Sequence, residues 1–335
     1  MGRRAGRRGP AHPSLQSPPV RVALLFIDGV GVGAADPAVN PLARGRWLLS
    51  QFQGGRGEAL PPGGARTDLG TTFSVPGRPQ SATNQTAIYT GEPAARLLGR
   101  HLLGYPNDLL RSVLAEHSLI KKLVARGRRP TFANTYPLPY LRALGLPHAA
   151  ADREPQDSTP LPPIPPGRLR RLKPSASTVA YSVAGVPLRT LAEAERGLGL
   201  THDIEGQRAR LRGLHVPRRT PEEAAAVLWR IAEDHDFTLF EHFLADEAGH
   251  GRDFALAEEV LQTFDRFARA AVAQRPPDAA VLIVSDHGNV EDLTTRNHTL
   301  HDVALLSFGV PEASLAGLKD VSDVCRLVLS LVEAR

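Results

Sequence analysis

The sequence has a single cysteine, Cys325, and no long apolar run. One cysteine excludes an internal disulfide framework and favours a reducing compartment. No stretch approaches the roughly 18 consecutive apolar residues of a membrane span, so we expect a soluble, cytoplasmic protein. A secretory signal is not expected either, because the first apolar run, residues 20–27, ends at Asp28 without a small-residue cleavage site.

Acidic and aromatic residues are both absent from the first twenty positions, which contain four arginines. Because these arginines carry four positive charges, removing the segment takes the formal net charge from +5 to +1. Binding of single-stranded nucleic acid needs aromatic side chains among the basic ones, so a nucleic-acid partner is not expected. Residues 1–19, rich in Arg, Pro, Gly and Ser, are predicted to form a disordered basic tail.

Short apolar runs alternate with helical patterns along the two ends of the chain. Strands are predicted at residues 20–27, 131–136, 237–243, 281–285 and 303–308, and helices at 81–89, 119–126, 221–234, 254–273 and 321–332. Alternation of this kind predicts an α/β fold, with a doubly wound, mostly parallel sheet covered by helices on both faces.

A proline-rich stretch, residues 155–166, interrupts this alternation and predicts an extended loop. Regular structure is expected again after residue 220, where Thr220 to Glu223 combine a capping box with a proline at the first helical position. We therefore expect a core built from residues 20–136 and 216–335, with residues 137–215 inserted as a smaller cap or substrate region. A length of 335 residues allows two such parts at roughly 150 residues per domain.

Metal-ligand side chains follow three of the predicted strands and precede a fourth. Asp286 and His287 are neighbours, and neighbouring side chains of an extended strand point to opposite faces, so they converge only where the strand has ended. The full set of candidate ligands is Asp28, Asp246, His250, Asp286, His287 and His298. Since ligands of open α/β sheets lie at the carboxyl ends of the strands, the pattern predicts a metal site there. His301 is an alternative to His298.

These candidates offer oxygen and nitrogen atoms and no thiolate, which favours Zn²⁺ or Mn²⁺ over Mg²⁺. A catalytic tetrahedral site uses about three protein ligands, so the set is sufficient for two divalent metal ions. Two ions can clamp the attacking and leaving oxygens of a phosphoryl transfer.

Ser81 begins a predicted helix, where backbone amides and a partial positive charge of roughly +0.5 favour an anion. A serine hydroxyl placed there can act as the nucleophile on phosphorus. Thr83 is a second candidate nucleophile, and Ser81 could instead serve only as a helix cap.

Five short motifs occur in order along the chain: Asp28-Gly29, Gln80-Ser81-Ala82-Thr83, Asp246-Glu247-Ala248-Gly249-His250, Ser285-Asp286-His287-Gly288-Asn289 and Asn297-His298-Thr299. Together they resemble the alkaline phosphatase superfamily, and most closely the metalloenzyme branch that contains cofactor-independent phosphoglycerate mutase and phosphopentomutase. The resemblance implies that one metal is surrounded by Asp28, Ser81, Asp286 and His287, and the other by Asp246, His250 and His298. It also implies that Ser81 is transiently phosphorylated.

The sequence departs from the mutases at two places. A Gly-His pair follows the nucleophile's helix turn in the mutases, whereas Asn84 and Gln85 stand there in this chain. These two residues either contact the substrate or pack against the protein. The inserted region is also smaller than the transferase domain of the phosphoglycerate mutases, which disfavours that specific identity.

The sequence therefore predicts a metal-dependent phosphoryl-transfer enzyme, a phosphomonoesterase or phosphomutase, that acts on a small phosphorylated metabolite. Water would resolve the phosphoserine in a phosphatase, and a substrate hydroxyl would resolve it in a mutase. Phosphodiester, sulfate and phosphonate hydrolysis are alternatives within the same superfamily. A metal-binding interaction protein without turnover is an alternative of another class.

Overall fold

The structure, a computed structural model, describes residues 21–149, 167 and 171–333. The predicted basic tail and the proline-rich stretch at residues 155–166 lie outside the described residues. The strands are β1 Arg21–Ile27, β2 Gly64–Leu69, β3 Pro130–Phe132, β4 Thr135–Tyr136, β5 Arg189–Thr190, β6 Phe237–His242, β7 Ala279–Val284 and β8 Val303–Phe308.

The helices of the described residues connect these strands. They are α1 Ser81–Thr90, α2 Ala94–Leu98, α3 Asp108–His117, α4 Leu119–Ala125, α5 Leu138–Ala143, α6 Ala176–Val183, α7 Leu191–Glu195, α8 Gln207–Leu211, α9 Pro221–Ala232, α10 Leu244–Gly251, α11 Phe254–Ala273, α12 Glu312–Leu315 and α13 Asp323–Glu333. Short 3-10 helices span Pro41–Arg44 and Gln53–Gly55. Of all these helices, none combines the length and apolar content that a bilayer span needs.

Six strands form one central sheet in the order β2-β8-β7-β1-β6-β3. The four strands β7, β1, β6 and β3 are mutually parallel, while β8 runs antiparallel to both β7 and β2. The mostly parallel α/β sheet predicted from the sequence is confirmed. Because β7, β1 and β6 are adjacent and parallel, the loops that follow them meet at one edge of the sheet.

Two hydrophobic clusters cover the two faces of this sheet. One contains Leu24 and Phe26 of β1 together with α1, α3, α4, α6 and α13, and the other contains Leu25 and Ile27 together with α9, α10 and α11. Alternate residues of β1 therefore point into different clusters, as the period of two in a strand requires. Burial on both faces explains why the strands read as continuous apolar runs in the sequence.

One strand predicted from the sequence is divided in the structure. Residues 131–136 were expected to form a single strand, but β3 ends at Phe132 and β4 belongs to a separate two-stranded sheet with β5. Between them, the side chain of Asn134 donates to the carbonyl of Glu241 at 2.7 Å and accepts from its amide at 2.8 Å. These two side-chain bonds take the place of the backbone hydrogen bonds that would have continued β3 along β6.

Part of the region predicted as an inserted cap packs directly on the core helices. Helix α6 contacts α1, α3 and α4. Tyr181 in α6 donates to the carbonyl of Thr131 at 2.7 Å, and Ser177 donates to the carboxylate of Glu241 at 2.8 Å. The division into core and cap at residues 137 and 215 stays a prediction.

Candidate metal centre

The loops after β1 and β7 bring Asp28, Asp286 and His287 to the same edge of the sheet. Oγ of Ser285 accepts from the amide of Val30 at 2.9 Å and donates to the carbonyl of His287 at 3.0 Å. The amide of His287 in turn donates to Oδ1 of Asp286 at 3.0 Å. The turn after β7 is therefore bonded both to itself and to the loop after β1, which fixes the directions of its acidic and imidazole side chains.

Helix α1 places Ser81 at its first position. The residue before it, Gln80, is extended, and Gly91 ends the helix in a left-handed conformation with φ +81°. The amides of Ser81, Ala82 and Thr83 have no acceptor within the helix, because the first turn lacks the preceding carbonyls. These amides and the helix dipole make the start of α1 a suitable place for an anion beside the Ser81 hydroxyl.

Asp246 and His250 lie four residues apart on α10, so their side chains share one face of that helix. Oδ2 of Asp246 is 3.2 Å from Nε2 of His250. The loop after β1 lies close against this helix, since a Cβ added at Gly29, where φ is +74°, would come within 2.8 Å of Oδ1 of Asp246. Only glycine allows both this backbone conformation and this approach.

Three of the predicted site residues surround Nε2 of His287, which is fully buried. It lies 3.0 Å from Oγ of Ser81, 3.4 Å from Oδ1 of Asp28 and 3.5 Å from Oδ2 of Asp286. Asp28, Asp286 and His287 each offer a ligand atom, and these atoms all lie within 4.8 Å of one another. We call these three residues the Asp28 group.

A second set, the Asp246 group, consists of Asp246, His287 and His298, whose ligand atoms also lie within 4.8 Å of one another. Nε2 of His298 is 3.4 Å from Oδ1 of Asp246, and Nε2 of His250 is 3.2 Å from Nε2 of His298. The rings of His287 and His298 are stacked with centroids 3.7 Å apart. His287 thus belongs to both groups, which makes them two halves of one centre.

Burial and neighbouring charges shift the pKa values of Asp28 and Asp246 in opposite directions. The pKa of Asp28 is raised well above its usual value by burial and by the nearby carboxylates of Asp286 and Asp246. Burial also acts to raise the pKa of Asp246, but hydrogen bonds with His250 and His298 outweigh it and the pKa is lowered. Three carboxylates confined in this way need positive charge to remain ionised together.

Two observations indicate that these side chains are suited to bind divalent cations. Oδ1 of Asp28 is buried and has no hydrogen-bond partner among the described residues, although a carboxylate oxygen in such a place requires one. Nδ1 of His250 and Nδ1 of His298 are hydrogen-bonded to the carbonyls of Arg296 and Pro79, at 2.7 and 2.8 Å. Carbonyls only accept, so each neutral ring carries its hydrogen on Nδ1 and presents the lone pair of Nε2, as metal-bound imidazoles do.

Asn84 and Gln85 lie in α1 directly beneath this centre, and both are buried. The amide of Asn84 donates to the carbonyls of Thr71 and Asp286 at 2.9 and 2.8 Å. Nε2 of Gln85 donates to Oδ2 of Asp286 at 3.1 Å. These contacts position Asp286, while contact with substrate stays a prediction for both residues.

Thr83 and His301, the alternatives to Ser81 and His298, both lie outside the ligand groups. Thr83 is fully buried and its hydroxyl donates to the carbonyl of Gln80 at 3.0 Å. His301 is bonded through Nδ1 to Oε1 of Glu291 at 3.0 Å and belongs to neither group. Geometry therefore favours Ser81 and His298.

Glu291 is a positioning residue that the sequence did not single out. Its buried carboxylate accepts from the amides of Gly31 and Asn289 at 2.9 and 2.8 Å, and from the side chains of Thr299 and His301. It thereby joins the loops that carry Asp28, His287 and His298. A buried acid two residues after Asn289 gives no periodic or motif signal by which a single sequence could identify it.

Comparison with known proteins gives one family and a set of similar folds. The family model described as the metalloenzyme superfamily matches residues 207–320. This span includes Asp246, His250, Asp286, His287 and His298, and excludes Asp28 and Ser81. No curated protein matches the chain.

Two solved structures share the fold at low sequence identity. Alkaline phosphatase from the Antarctic bacterium TAB5 is 12% identical with a TM-score of 0.51, covering 95% of this chain and 99% of that one. The cold-active alkaline phosphatase from a psychrophilic Shewanella species is 14% identical with a TM-score of 0.51, covering 92% of this chain and 99% of that one. At this identity the likeness shows the fold alone.

Proposed function

From the match of residues 207–320 to the metalloenzyme superfamily model and the fold shared with alkaline phosphatases, we propose that the chain is a phosphoryl-transfer enzyme dependent on two divalent metal ions. Its substrate in this proposal is a small phosphorylated metabolite. Ser81 is the nucleophile and becomes transiently phosphorylated. The two ions are Mn²⁺ or Zn²⁺, which the mixed carboxylate and imidazole donors favour over Mg²⁺.

The observation that carries this proposal is the position of Ser81 beside His287. Its Oγ lies 3.0 Å from Nε2 of His287, the residue that the two ligand groups share. A serine that only capped α1 would direct its oxygen at the amides of its own helix, whereas among the described residues the hydrogen-bond partner of Oγ of Ser81 is Nε2 of His287. The hydroxyl is instead directed at the centre of the carboxylates and imidazoles.

In this proposal, two different sets of residues would bind the two metal ions. Asp28, Asp286 and His287, with the hydroxyl of Ser81, would hold one ion. Asp246, His250 and His298 would hold the other. When bound, the two ions supply positive charge that favours the ionised serine and stabilises the oxygens of the transferring group.

The chain's own groups then complete the transfer. Oγ of Ser81 gives up its proton and forms a bond to phosphorus as the bond from phosphorus to the ester oxygen breaks, and the leaving alcohol takes up one proton in return. Amides at the start of α1 donate to the phosphoryl oxygens, where they act as fixed donors for developing charge. The phosphoserine is resolved by water, giving orthophosphate, or by a substrate hydroxyl, giving an isomeric ester.

A panel of phosphomonoesters tests this proposal with both orthophosphate release and isomer formation as readouts. Each ester is assayed with added Mn²⁺, Zn²⁺ or Mg²⁺, using the wild type, Ser81→Ala and Thr83→Val. We expect Ser81→Ala to lose activity by at least about 10³-fold, while Thr83→Val, which keeps the size of the side chain, retains it. Activity that survives Ser81→Ala would refute the phosphoserine route, and absence of turnover in the wild type would favour the metal-binding alternative.

A further inference from the structure

A pocket of about 160 Å³ lies beyond the carboxyl ends of β3 and β6, outside the two ligand groups. Its lining is largely apolar and includes Tyr136, Pro137, Leu191, Ala209, Leu214 and Phe243. The ring of Tyr136 is stacked on that of Tyr140, with centroids 5.7 Å apart and planes at 13°. The stacking holds the ring of Tyr136 in place at the wall of the pocket.

The pocket is at the same sheet edge as the candidate metal centre. Strands β1, β6 and β3 are consecutive in the sheet, so β3 is displaced about 10 Å sideways from β1, and Phe132 at its end is level with Leu24, four residues before Asp28. Phe243 also precedes Asp246 by three residues at the start of α10, a spacing that puts two Cβ atoms about 5–6 Å apart on a helix. A single ester could therefore reach both places.

The distance and the lining together restrict the group that fits. A three-carbon alcohol, at about 1.5 Å per bond, reaches only roughly 4–5 Å and ends short of the pocket. A dry cavity of about 150 Å³ lined by aliphatic and aromatic side chains accommodates one benzene ring in another protein. The aromatic residues Tyr136 and Phe243 in the lining also favour a ring, which gains from offset stacking in addition to burial.

We propose that this pocket binds the alcohol part of the substrate, and that this part carries a planar apolar ring separated from the phosphate by a short chain. The proposal rests on the proposed function, because it assigns the phosphate end of the same ester to Ser81 and the ligand groups. It narrows the substrate class from small phosphate esters in general to aryl-alkyl phosphomonoesters.

Two esters with similar leaving alcohols test the proposal kinetically. We expect kcat/KM for 2-phenylethyl phosphate to exceed that for glycerol 1-phosphate by about tenfold or more. Leu214→Trp, which fills the pocket, should lower this ratio about tenfold, because the ring loses its site. Leu211→Trp is the matched control, since Leu211 is 79% exposed and lies outside the pocket, and it should leave the ratio unchanged.

Binding gives a readout that does not need turnover. Calorimetry with Mn²⁺-loaded protein compares 3-phenylpropylphosphonate with propylphosphonate, and we expect the former to bind about tenfold more tightly in the wild type and not in Leu214→Trp. Equal affinities in the wild type would overturn the pocket assignment. Turnover that depends on Ser81 but shows no preference for a ring would overturn the pocket assignment and keep the proposed function. Ring-selective binding without turnover would overturn the proposed function and keep the pocket assignment.

Discussion

The side-chain amide of Asn289 donates to Oδ1 of Asp246 at 2.6 Å, which joins the turn after β7 to helix α10. Gly249 makes the contact possible, because a Cβ at that position would come within 2.6 Å of the amide. The carboxylate of Asp246, which faces His250 and His298, is therefore oriented by the neutral amide of Asn289. Such partners orient ligand side chains and preserve their basicity.

Loss of this amide should weaken the metal centre. Asn289→Leu keeps the size of the side chain but removes the donor, and we expect the affinity for Mn²⁺ or Zn²⁺ to fall about 10–100-fold. Competition with a chelator of known affinity measures the change. Asn297→Leu, an exposed asparagine beside His298, is the control. Equal affinities in the two variants would show that the Asn289 contact does not position Asp246.

Metal content should respond differently to the two neighbouring histidines. His298→Ala removes an Nε2 that lies 3.4 Å from Asp246, so we expect the content to fall from two ions to one. His301→Ala should keep both ions, because His301 is bonded to Glu291 and faces neither ligand group. Elemental analysis after dialysis against metal-free buffer decides between them. Two ions retained in His298→Ala would contradict the assignment of His298.

The elements that the sequence predicted well are those whose own residues specify them. Helix α11 has the predicted bounds, 254–273, since its apolar face repeats over five turns. Helix α9 begins at the predicted capping box, in which Thr220 accepts from the amide of Glu223 at 3.2 Å. The strand β8 likewise has the predicted bounds because its continuous apolar run has no competing pattern.

Elements that depend on contacts with distant parts of the chain were not predicted from the sequence. Strand β2, Gly64–Leu69, has one buried residue and is held by its antiparallel ladder with β8. Helix α10 contains two glycines, which disfavour a helix, and is stabilised by packing on α11. The residues of the candidate site could be identified from motifs, but the sharing of His287 between two groups follows only from the stacking of two loops 11 residues apart.

Glu291 should contribute to stability as well as to the site. Glu291→Gln removes the negative charge that accepts four hydrogen bonds, and its NH₂ group cannot accept as the replaced oxygen did, so the charge-assisted bonds are weakened or lost. We expect the free energy of unfolding to fall by about 2–3 kcal/mol. Urea denaturation measures it, with Glu258→Gln as the control, since Glu258 pairs with Arg44 at the surface. A loss no larger than that of the control would contradict the role of Glu291 in joining the loops.

A different buried acid, Glu241, should make stability depend on pH. Tyr89 and Ser177 donate to its carboxylate, and burial raises its pKa from 4.5 to about 7. Because the folded-state pKa is above the unfolded one, the folded state holds the proton more tightly. The stabilisation is complete below pH 4.5 and is lost as pH rises through about 7.

Glu241→Gln cannot titrate, so it should not share this loss. We expect the unfolding free energy of the variant, relative to the wild type, to rise by about 2 kcal/mol between pH 5.5 and pH 8. Urea denaturation of both proteins in chelator measures the difference without a contribution from metal release, and repetition with Mn²⁺ tests its independence of the metal centre. A difference that stays constant with pH would show that Glu241 is ionised in the folded protein throughout this range.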